Sequence, residues 1–132
     1  MHGKRLILVM GLFFLAAGCD GPVSEASLVG RYLCKYPYGI ELLVLRPEGQ
    51  YTQIIDVDAV DGTVVHHSVW RYNFESRQLV LVDALLIDDF FGSLNPDFAT
   101  PAPGLSLIFV ENTFGGPELH LNPDLPHECH RE

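Results

Sequence analysis

The chain closes on "NPDLPHECHRE". His127, Glu128, Cys129 and His130 set two imidazoles, a carboxylate and a thiol side by side, a donor set suited to zinc or copper. Elsewhere His66 and His67 are adjacent and His120 stands apart. Side chains alternate across a strand, so two neighbouring histidines in a strand face opposite ways. A metal site using either needs donors from other strands, such as His120. "DVDAVDG" (56–62) offers Asp56, Asp58 and Asp61 as hard oxygen donors. A calcium loop counted from Asp56 fails three times: Val60 stands at position 5, Asp61 at position 6 and His67 at position 12. An Asp-Gly hairpin turn is the better reading. The chain has no G-x-S-x-G elbow, no S-x-x-K and no H-E-x-x-H, and nothing picks out a pair of acids. No enzymatic activity and no cofactor are expected.

The opening residues decide how the tail is read. His2, Lys4 and Arg5 form a basic head before an apolar run from Leu6 to Ala17. This is the layout of a secretory signal peptide, and the run falls short of the roughly 20 residues a membrane span needs. It ends in "LAAGC", which resembles the lipobox of bacterial lipoproteins: Ala16, Ala17 and Gly18 lead to Cys19. Ala16 stands where the family more often has Leu. The resemblance implies removal of residues 1–18, a diacylglycerol thioether on the Cys19 sulfur and an acyl chain on its new amine. Several such chains together anchor a protein stably. The expected location is the bacterial cell envelope, facing the periplasm. Asp20, directly after the cysteine, favours the inner over the outer membrane by the rule of enteric-type lipoproteins.

With Cys19 lipidated, Cys34 and Cys129 remain as an even pair in an oxidising compartment. A disulfide between them is expected. Cys129 is then no thiolate ligand, and His127 and His130 become neighbours of a covalent staple.

Taking Lys4 and Arg5 from the eight basic residues leaves six against 17 acidic in residues 19–132. Such a surface is a poor match for nucleic acid, which requires a basic face. One domain with a real core is expected over residues 28–132. "DGPVSEAS" (20–27) reads as a short tether after Cys19, holding that domain close to the membrane.

From Leu28 the pattern is β. Candidate strands are 28–36, 40–45, 50–57, 63–72, 78–87, 105–110 and 117–121, with turn chemistry in "RPEG" (46–49), "DAVDG" (58–62), "NFESR" (73–77) and "ENTFGG" (111–116). Alternation puts Tyr51, Gln53, Ile55 and Val57 on one face, and Val64, His66, Trp70 and Tyr72 on another. Trp70 is expected in the core. Short strands at this spacing predict an all-β fold: a small antiparallel barrel or sandwich of about seven or eight strands.

Residues 29–87 resemble lipocalin-like bacterial envelope proteins. Gly30-Arg31-Tyr32 opens the first strand, "LVLRPEGQY" runs through a Gly-containing turn to an aromatic, and Trp70 precedes a turn and "LVLV". The resemblance implies a lipocalin-like barrel; members bind ligands or proteins, so the fold alone assigns no function. Residues 88–104 form a long irregular stretch carrying Phe90, Phe91 and Phe98. They are candidates to cover a barrel end, to contact a partner or to fill the core. The leading expectation is a non-catalytic lipoprotein, attached to the membrane through its anchor, whose β domain binds an envelope protein or an apolar small molecule. The alternative is a metal-handling lipoprotein using His66, His67, His120 or the HECH tail.

Overall fold

The computed structural model describes residues 23–89, 91–121 and 128–132. The lipobox and Cys19 lie outside these residues, as do Phe90 and His127. The order is α1 (Glu25–Leu28), β1 (Gly30–Tyr36), β2 (Gly39–Leu45), β3 (Gln50–Val57), β4 (Val64–Asn73), β5 (Gln78–Val82), β6 (Leu105–Thr113), β7 (Gly116–His120) and β8 (Glu128–Arg131). Each strand pairs antiparallel with the next, and β8 returns to β1, closing an eight-stranded barrel. Closure removes the unpaired edges that an open sheet would expose.

The expected alternation holds where it matters. Tyr51, Gln53, Ile55 and Val57 are buried together from β3, and Leu43, Leu45, Leu79, Leu81, Ile108 and Leu119 join them inside. One end of the barrel is plugged. Trp70 is buried there, its indole N–H donating to the Arg46 carbonyl at 3.0 Å. α1 lies across the same end, capped by Ser24, with Val23 and Leu28 in the core. Tyr32 Oη donates to the Leu28 carbonyl at 2.7 Å. The Arg131 guanidinium donates to the Ser27 and Val29 carbonyls and lies 5.5 Å from the Tyr32 ring centroid. The expected tether is therefore shorter than 20–27: from Val23 onward the chain belongs to the folded domain. Gly30 is needed beside this plug, since a Cβ there would sit 2.9 Å from the Arg131 guanidinium.

The expected long strand 78–87 stops at Val82. Asp83 takes a left-handed conformation (φ 48°), and its carboxylate accepts from the Gly104 N–H at 2.8 Å. Ala84, Leu85 and Ile87 then cross the opposite barrel mouth as buried irregular chain. A continuous apolar run marks burial, and the turn at Asp83 decides that it is not extended. The tail differs in the other direction. Residues 128–131 are a true strand, and Cys129 lies opposite both Cys34 on β1 and Leu119 on β7.

A disulfide joins Cys34 to Cys129 across a sequence separation of 95, and both are fully buried. Cross-linking so distant a pair restricts the unfolded chain, a contribution of about 2–4 kcal/mol in typical cases. Reduction, or Cys129→Ser, is expected to lower the urea midpoint by a matching amount. Equal midpoints with and without reductant would show that the bridge contributes nothing.

Candidate functional site

The plugged end leaves the other end of the barrel to be covered by residues 83–89 and 91–104. Beneath this cover lies a cavity of about 180 Å³. Leu43, Leu81, Leu85 and Ile108 supply apolar wall, and Tyr36, Glu41 and Gln53 supply polar groups. All three polar residues sit at inward positions of β1, β2 and β3. Glu41 Oε1 accepts from Gln53 Nε2 at 2.7 Å, and Oε2 accepts from Tyr36 Oη at 3.0 Å. Gln53 also binds the cover. Its Oε1 accepts from the Leu85 N–H at 2.8 Å, and its Nε2 donates to the Leu85 carbonyl at 3.0 Å.

Burial pushes the Glu41 carboxyl above its ordinary range, while the hydrogen bonds from Gln53 and Tyr36 pull it back. Burial, with Glu41 and Asp88 nearby, raises the Tyr36 phenol, which stays a protonated donor. Tyr36 stacks on Tyr38 with ring centroids 5.5 Å apart. The Tyr38 hydroxyl is enclosed at this end and makes no hydrogen bond among the described residues.

Phe91 and Phe98 are placed differently. Phe98 is buried with Ile55, Val57, Leu85 and Ile87 as a second core cluster. Phe91 is 84% exposed, and Phe90 lies outside the described residues. The histidine pair is split as alternation requires. His66 faces inward, with Nε2 2.8 Å from the Asp83 carbonyl and its ring edge-on to Tyr51. His67 faces outward, with Nδ1 2.9 Å from Thr52 Oγ1. These two cannot share an ion.

A second cluster lies on the outer face of β6, β7 and β8. Register places Glu111 opposite Glu118, Glu118 opposite His130, and His120 opposite Glu128. His120 Nε2 lies 2.9 Å from Glu111 Oε2 and 3.4 Å from Glu118 Oε1. His130 Nδ1 lies 3.5 Å from Glu118 Oε2, and its Nε2 lies 3.5 Å from Glu128 Oε2. Burial and the neighbouring Glu128 raise the Glu118 carboxyl, against the pull of His130 and His120. Of the expected metal candidates, His120, Glu128 and His130 converge here, and Cys129 faces the core instead. Sequence reading missed Glu111 and Glu118, because only the β6–β7 register brings them together. It also missed Glu41, although a carboxylate at an inward position of "IELLVL" was the available signal.

Glu41 binds a proton more tightly in the folded than in the unfolded chain. Its contribution to stability is therefore largest at low pH and declines as pH rises above the ordinary carboxyl value of about 4.3. Each unit of upward shift costs about 1.4 kcal/mol once the group is ionised. Glu41→Gln, which keeps an acceptor for Gln53, is expected to raise the melting temperature at pH 7.5 more than at pH 4.5. A uniform loss of stability at both values would contradict this. The chain matches no protein-family model, no curated protein and no solved structure.

Proposed function

We propose that this chain is a non-catalytic, lipid-anchored protein of the bacterial cell envelope whose barrel binds a small, mainly apolar molecule carrying one hydrogen-bonding group. The observation that carries the reading is the cavity of about 180 Å³ under residues 84–89, apolar on its walls and polar at Glu41, Gln53 and Tyr36. Ligand sites combine these two features: apolar area supplies affinity, and a few fixed polar groups set orientation. An apolar protein cavity of about 150 Å³ holds a benzene-sized molecule, which sets the scale of the ligand. The cover is tied to the barrel through the Gln53 side chain and through Leu85, Ile87 and Phe98, which pack with Ile55 and Val57 of β3.

The anchor reading rests on the basic head, the apolar run and "LAAGC". A second reading, a protein partner, is favoured by one observation. The outer face of β6 presents Leu105, Leu107 and Phe109, each between 44% and 56% exposed. A site-specific cross-linker at position 107 in cells tests it; the absence of any discrete adduct removes it.

Phenol and indole are suitable probes of the cavity. Saturable chemical-shift changes are expected at the Gln53 side-chain amide and the Leu85 backbone amide. Ala84→Leu, which fills part of the space, is expected to weaken them at least about tenfold, the equivalent of 1.4 kcal/mol. Non-saturable shifts, or shifts unchanged in Ala84→Leu, would remove the ligand reading. Metabolic labelling with palmitate is expected to mark the wild type and not Cys19→Ala; equal labelling would remove the anchor reading.

A further inference from the structure

We propose that the outer face of β6–β8 binds a divalent transition-metal ion of the zinc class, with His120 Nε2, Glu111 and Glu118 as its ligands. The inference is independent of the cavity and goes beyond it. Five ionisable side chains from three adjacent strands meet here: Glu111, Glu118, His120, Glu128 and His130. Donor atoms of Glu111, Glu118 and His120 all lie within 4.8 Å of one another. Ligands around a tetrahedral zinc ion, with bonds of about 2.0–2.2 Å, stand roughly 3.3–3.5 Å apart. His120 Nε2 to Glu118 Oε1 is 3.4 Å, already at that spacing, and Glu111 at 2.9 Å needs only a small outward movement.

Two further observations point to a cation. The His120 Nε2 atom is fully enclosed, yet makes no well-aligned hydrogen bond, although two carboxylates face it. The contact to Glu111 at 2.9 Å is an ion pair when His120 is protonated, and with His120 neutral the same atoms are free to share a cation. Charge is the second. Three carboxylates converge, and among the described residues no lysine or arginine pairs with any of them. Lys35 and Arg131 share a surface groove with Glu128 and His130, but neither pairs with the three carboxylates, and Arg131 is committed to the Ser27 and Val29 carbonyls.

The donor chemistry selects the class of ion. Imidazole nitrogen favours zinc, copper or nickel over calcium and magnesium, which prefer oxygen alone. Three protein ligands leave a fourth position for water or an incoming donor. Glu118 uses one oxygen toward His120 and presents the other to His130 at 3.5 Å. His130 and Glu128 therefore flank the site and orient Glu118, and the site stands on rigid strands rather than on a loop.

The test uses the untagged full chain, stripped with chelator and titrated with zinc against a chromophoric competitor. One zinc per chain is expected, with calcium unable to compete. His120→Ala and Glu118→Gln should each weaken binding at least about tenfold, with unchanged circular dichroism since both lie on the outer face. His67→Ala, on the outer face of β4, should leave it unchanged, and so should His127→Ala. Cobalt substitution reports the geometry, and its visible absorption should vanish in His120→Ala. No stoichiometric binding by the wild type, or equal binding by His120→Ala and Glu118→Gln, would overturn the proposal. So would loss of binding in His127→Ala alone, which would move the site to the tail.

Discussion

Among the described residues strand β8 offers β1 three residue pairs, and with these it turns a seven-stranded sheet into a closed barrel. A four-residue strand is a weak element by itself. The disulfide lies at directly opposed positions, Cys34 and Cys129, and so fixes β8 at the one register that satisfies both neighbours. Two other features follow from that register. Arg131 arrives beneath Ser27 and Val29 and holds α1 over the barrel end. Glu128 and His130 arrive beside Glu118 and His120 on the outer face. Closure, plug and outer cluster share one covalent constraint.

The opposite end is held by a different device. Residues 84–87 cross the mouth without strand partners, and buried backbone groups need partners of some kind. The Gln53 amide supplies both partners for Leu85, since a side-chain amide offers the same donor and acceptor as a peptide group, while Ala102 and Asn95 donate to the carbonyls of Ala84, Leu86 and Ile87. The Gln53 N–H group also reaches Glu41, so the cover, the β2 carboxyl and the Tyr36 phenol form one connected network. The polar groups of this network are satisfied, but the irregular chain does not fill the space as a layer of strand side chains would. The cavity is the remainder.

The all-β architecture was legible because its signals are local. "RPEG" supplies a turn in which Gly49 has φ 78°, and alternation in 50–57 separates Tyr51, Gln53, Ile55 and Val57 from the outer face. Gly30 and Tyr32 were legible as a pattern, and the reason for them appears only when Arg131 arrives from about a hundred residues away. What escaped was non-local or aperiodic. "VDALLI" looks like more strand, because an apolar run reports burial without reporting direction. "ECHR" looks like tail, because four residues carry too little periodicity to register. Glu111 and Glu118 lie on either side of the turn "NTFGGP", and nothing in their types says that register will set them face to face.

The position of α1 has a consequence for how the molecule stands. Val23 is already packed into the plugged end, and only Asp20, Gly21 and Pro22 lie between it and Cys19. Four fully extended steps reach about 14 Å. If Cys19 carries the lipid, so short a leash presses the plugged end toward the bilayer and turns the covered mouth outward. The cavity would then exchange its contents with the aqueous compartment, and a molecule dissolved in the membrane beneath would have no direct path into it.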